Sequence, residues 1–137
     1  MERIEELLEK PCWIIDILPE RVPEGSGGQY FAAEKLFLRD PALRQKQASC
    51  LLKLNCYYDF VLADAEGREE RNPDPETLRG LVGRESLNVI AGENALISAD
   101  CTDTYMTLYN PDERMLALAE KIAAAEGLFV GRGNNLE

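Results

Sequence analysis

The spacing of apolar and polar positions predicts a chain that passes repeatedly between helical and strand periods. Ile4, Leu7 and Leu8 fall on one side of a short helix that Pro11 ends. Cys12 to Leu18 follows as a run rich in β-branched residues, of strand character. Glu20 to Gly28 is a loop rich in Pro, Gly and Ser, and Tyr30 to Leu38 then resumes helical spacing up to a turn at Asp40. Three further helices are expected to start in one way, with Asp or Asn accepting from free N–H groups and Pro at the first helical position. The pairs are Asp40-Pro41, Asp74-Pro75 and Asn110-Pro111. In the last of these, Glu113 stands at the capping-box position and Gly127 supplies a left-handed stop. Leu43, Cys50, Leu51 and Leu54 form the inward stripe of the first, and Met115, Leu118, Ala119 and Ile122 that of the last.

Strands are expected at Tyr57 to Ala63, Leu87 to Ala91, Ala95 to Ala99 and Thr104 to Tyr109, with a short final one at Leu128 to Val130. Turn residues at Gly92 to Asn94 and Asp100 to Asp103 join Leu87 to Tyr109 into an antiparallel meander. Asp64 to Asp74 is polar and acidic and is expected to be a mobile loop. The fold class that follows is α+β: one domain over residues 1–137, a mainly antiparallel sheet of about five strands with helices packed on one face. The last few residues, ending in Leu136-Glu137, are expected to be disordered or a remnant of a cloned tag.

Composition narrows the function. A hydrophobic fraction of 45% beside 29% charged residues suits a packed core, not a disordered chain. The net charge of -10 repels phosphate backbones and anionic membrane surfaces, so no nucleic acid and no membrane is expected as a partner. A basic protein or a cation is the easier attraction. The N-terminal residues lack a secretion signal and no apolar run approaches the ~18 residues of a membrane span, so a soluble, cytoplasmic protein is expected. Cys12, Cys50, Cys56 and Cys101 are too scattered for a disulfide framework or a zinc site.

The sequence contains no histidine, which removes the usual neutral-pH acid/base and the commonest metal ligand together. No catalytic residue, metal ligand set or cofactor is therefore expected. Cys50 has Lys46 and Lys53 at helical spacing, but it belongs to an apolar stripe, and packing outweighs reactivity. Gly25 to Gly28 lacks the ending of a phosphate loop, with Glu20 and Glu24 opposing an anion. The acids between Asp64 and Asp74 have the wrong spacing for calcium, and Asp100 with Asp103 reads as a turn. Lys35, Arg39, Arg44, Lys46 and Lys53 gather on the central helices as a solvated face.

The candidate site comes from acids that interrupt strands. Period-two alternation puts Ile14, Asp16 and Leu18 on one face, Tyr57, Asp59 and Val61 on another, and Tyr105, Thr107 and Tyr109 on a third. If these strands align, Asp16, Tyr57, Asp59, Tyr105 and Tyr109 form a binding surface of phenols and carboxylates. The function expected is a non-enzymatic protein-binding or self-associating module, with a protein partner or a homodimer. The alternatives are a small carboxylate-dependent enzyme or ligand-binding domain, using Asp16 and Asp59 or Asp100 and Asp103, and an acidic regulatory partner of a basic protein.

Overall fold

The meander expected between Leu87 and Tyr109 forms the middle of a larger sheet. A computed structural model describes residues 2–64 and 66–133. In chain order the elements are α1 (Glu2–Leu7), β1 (Cys12–Asp16), α2 (Tyr30–Arg39), α3 (Pro41–Asn55), β2 (Phe60–Ala63) and β3 (Glu69–Arg71). Then come α4 (Pro75–Leu81), β4 (Leu87–Ala91), β5 (Ala95–Ala99), β6 (Met106–Tyr109), α5 (Glu113–Ala125) and β7 (Phe129–Arg132). The strands form one seven-stranded sheet in the order β3-β2-β4-β5-β6-β1-β7, with every neighbouring pair antiparallel. The architecture is α+β.

Seven strands replace the five expected, and the main addition lies in the acidic segment. Asp64 accepts from the amides of Glu66 and Arg68, closing a turn that lets Glu69–Arg71 pair with Val61–Ala63. Side-chain capping thus orders a stretch whose composition suggested a mobile loop. Helix starts follow their chemistry at Asp40 and Asp74, whose carboxylates accept from Ala42 and Glu76 amides. The last helix differs: Asp112, not Asn110, is its cap and accepts from the Met115 amide at 2.8 Å. Asn110 instead takes a left-handed φ of 59 and donates its side-chain amide to Asn94 O.

Strand alternation divides the sheet cleanly. One face carries Phe60, Val89, Ile97, Leu108, Met106 and Ile15, which pack with Leu51 and Leu54 of α3, Leu78 of α4, and Met115, Ala119 and Ile122 of α5. The other face is not bare, as helices on one face would require. There Ile4 and Leu7 of α1 pack on Ile90, Leu96 and Ala63, with Val61 and Tyr109 at the margin. Beyond that patch runs a cross-strand row of Asn88, Ser98, Thr107 and Ile14. α1 covers the apolar part and stops where the row turns polar. No helix among the described residues is long and apolar enough to cross a membrane. Leu136-Glu137 lie outside the described residues.

Candidate functional site

The part of this second face that α1 leaves open is a groove of about 840 Å³. Its floor is Ile14 and Asp16 of β1 with Thr107 and Tyr109 of β6, and β7 contributes Phe129 and Gly131. Its walls are the loop from Leu18 to Val22, Tyr30 at the start of α2, and Tyr105 just before β6. Tyr30 donates its phenol to Glu34 at 3.2 Å, which ties that wall to the helix behind it.

Asp16 sits at the end of β1 because its own chemistry ends the strand. The carboxylate accepts from the Ile17 amide at 2.7 Å, and the Leu18 amide and Thr104 hydroxyl lie near enough to favour its charged form. Burial raises its pKa above 3.8, those hydrogen bonds oppose the rise, and the charge on Glu34 adds to it. Asp103 is raised for the same first reason, then by Asp100 and Glu34, against the pull of Arg44. Tyr105 is raised by burial, then by Asp103 and Asp16, while Arg21 works the other way. Tyr30 and Tyr109 are likewise raised, first by burial. The groups interact with one another, so Asp16, Glu34, Asp103 and three phenols share one neighbourhood. The carboxylates of Asp16, Glu34 and Asp103 lie in it beside Arg21. The guanidinium of Arg132 is engaged elsewhere, 4.9 Å from the ring centroid of Trp13.

The wall that carries Tyr105 is held from the far side of the sheet. Arg44 of α3 donates to Cys101 O at 2.8 Å, to Asp103 O at 3.0 Å and to Gln47 Oε1 at 2.9 Å. Gln47, fully buried, passes the contact on to Thr104 O at 3.3 Å. Arg44 is therefore an anchor and not part of a solvated basic face, and burial lowers its pKa. Gly83, at φ +87, leaves room for it: a Cβ there would come within 2.7 Å of Arg44 Cγ.

Of the five expected site residues, the groove brings together Asp16, Tyr105 and Tyr109. Tyr57 and Asp59 are not there. The strand expected from Tyr57 begins only at Phe60, because the chain leaving α3 first turns through Cys56 to Tyr58, whose amides bond back to Lys53 and Leu54 carbonyls. Tyr57 is 61% exposed in that turn. Asp59 is bound by Arg71 and by the Asn72 side-chain amide, a local latch between β2 and β3. Tyr30, Arg21, Phe129 and the anchor pair Arg44 and Gln47 were not anticipated. Tyr30 has one signal in the sequence, its place two residues after the Gly-rich loop.

The other candidates have structural roles. Cys50 is buried, and its thiol is pushed up to about 12, first by burial and then by Glu126, against the pull of Lys53. Asp100 closes its turn by accepting from the Thr102 amide and hydroxyl. No group of three or more His, Cys, Asp or Glu among the described residues is placed to hold a metal ion. No family model, curated protein or solved structure matches the chain.

Proposed function

We propose that the protein is a non-enzymatic binding module whose open sheet face receives a basic segment of a partner protein. The observation that carries this reading is a half-buried carboxylate, Asp16, on the floor of a groove walled by Tyr30 and Tyr105, with Tyr109 beside it on the floor. A lysine or arginine side chain fits that chemistry: its aliphatic stem lies against phenol rings and its charged head meets Asp16, with Glu34 and Asp103 behind. The overall charge of -10 steers such a partner towards the chain. Asp16 already accepts the Ile17 amide, which suits a fixed charge better than a mobile base, and no histidine is present to move a proton.

The test is calorimetric titration with a short lysine-rich peptide and a glutamate-rich peptide of equal length. The lysine-rich peptide should bind, more weakly as salt rises. Asp16→Asn and Tyr105→Ser should each reduce affinity about tenfold or more, ~1.4 kcal/mol. Equal affinity for the two peptides, or indifference to Asp16→Asn, would refute the reading. A second reading is favoured by size alone: about 840 Å³ lies within the range of roughly 300–1,000 Å³ typical of small-molecule sites. A thermal-shift series with small amines, nucleotides and divalent metals separates the two. A small ligand of this groove raises Tm in the native chain but not in Asp16→Asn.

A further inference from the structure

The two edges of the sheet are built differently. At one end β3 presents Glu69, Glu70 and Arg71, all charged and exposed, which is the kind of edge that discourages an added strand. At the other end β7 presents Phe129, Val130 and Gly131 before Arg132, and Phe129 is 46% exposed. The Gly133 amide donates to Cys12 O at 2.9 Å, which fixes the alternation. Residues 129, 131 and 133 bond to β1, so Val130 and Arg132 turn their N–H and C=O groups to the open edge. Phe129 and Gly131 share the groove face with Asp16 and Ile14, while Val130 shares the helix-packed face with Ile15.

We infer that this edge pairs with the same edge of a second copy of the chain, about a two-fold axis at Val130. An antiparallel pair of identical strands is self-complementary, and in this register Val130 exchanges both backbone bonds with its counterpart. Arg132 then stands opposite Leu128, so the two guanidinium groups are kept apart. Phe129 of each copy meets Gly131 of the other in a non-hydrogen-bonded pair, where side chains approach most closely. The ring covers a glycine that has nothing within 4 Å of where a Cβ would stand. Centring the axis on Gly131 or Phe129 instead would place glycine on glycine or ring on ring and leave that complementarity unused. The two seven-stranded sheets become one, with both grooves on the same face. This goes beyond the groove reading and does not depend on it.

The contact is short and each copy carries a charge of -10, so the dimer is weak and strengthens as salt screens the repulsion. Sedimentation velocity of the full chain, over concentrations from about 5 to 500 µM, should show a monomer passing to a dimer. Hydrogen exchange at the Val130 and Arg132 amides should slow as concentration rises, while Glu69 and Arg71 at the other edge do not change. Gly131→Lys has room for its Cβ in the monomer and should weaken association about tenfold or more, with Tm unchanged at concentrations where the chain is monomeric. Phe129→Ser should weaken it in the same direction. The inference is overturned by a monomer at every concentration, by a dimer indifferent to Gly131→Lys, or by unchanged exchange at Val130 and Arg132.

Discussion

The two faces of the sheet are made by the same strands and do different work. On β6, Leu108 points into the helix-packed side and is fully buried, while its neighbours Thr107 and Tyr109 point to the other side and line the groove. The first face is apolar on β1, β2, β4, β5 and β6 and takes three helices, so it carries most of the burial that stabilises the fold. The second packs apolar residues under α1, and elsewhere it mixes Ile14 and Phe129 with a half-buried acid, phenols and a polar row. The chain thus concentrates its hydrophobic surface on one side and keeps a partly buried charge on the other, where burial works against the ionised form.

Substitution on either side of β6 tests this most strongly. Leu108→Ala should cost about 2–5 kcal/mol, from lost transfer energy and the cavity left behind, and lower Tm by roughly 10 °C or more. Tyr105→Ser, on the half-exposed groove wall, should cost less than about 1 kcal/mol while weakening peptide binding about tenfold or more. Parallel thermal unfolding and titration of the two variants check the contrast. Equal losses of stability would erase the distinction between the faces.

Much of the first face was legible in the sequence and less of the second. Alternation in Leu87–Ala91, Ala95–Ala99 and Met106–Tyr109 is a strand signal that survives without tertiary context, as are the Asp-Pro starts at Asp40 and Asp74. Asp16, Tyr105 and Tyr109 could be nominated because each interrupts or flanks such a run. Their meeting depends on β1 inserting between β6 and β7, a long-range pairing that no local pattern encodes. Asp59 lies apart from Asp16, and an acid before a strand looks the same in sequence whether it faces a groove or, as here, binds Arg71 and Asn72 across a hairpin. Arg44 and Gln47 were invisible for a related reason. Their partners are backbone carbonyls 57 and 59 residues away, and a carbonyl has no sequence signature.

That anchor is where the two faces communicate, and breaking it should have an intermediate effect. Arg44→Ala leaves the carbonyls of Cys101 and Asp103 and the Gln47 side chain without their donor, which should cost about 1–3 kcal/mol. It should also loosen the loop holding Tyr105, seen as faster hydrogen exchange over residues 100–105 and weaker peptide binding. Arg44→Lys should recover only part of this, since one ammonium cannot span the three acceptors that the guanidinium fork reaches. Full recovery by lysine would reduce Arg44 to a simple positive charge.

The smallest effect is the most particular to the groove, and it is a matter of sign. Asp16 has its folded pKa above the ordinary 3.8, so folding disfavours its charged form. As pH rises from the ordinary value through the raised one, the folded state holds more of its proton than the unfolded state does, and stability falls. Asp16→Asn keeps an acceptor for the Ile17 amide without the charge. Its Tm relative to the native chain should therefore increase across that interval and level off above it. Asp100, lowered chiefly by the Thr102 amide, has the opposite sign, and removing it should cost stability above the ordinary value and nothing well below it. Adding the lysine-rich peptide should cancel the Asp16 effect, because a bound cation favours the carboxylate that burial opposes. Thermal unfolding of native chain and Asp16→Asn across the acid range, with and without peptide, measures all of this. A native chain that gains stability over Asp16→Asn as pH rises, without ligand, would mean that the charge on Asp16 supports the fold and was not kept for a partner.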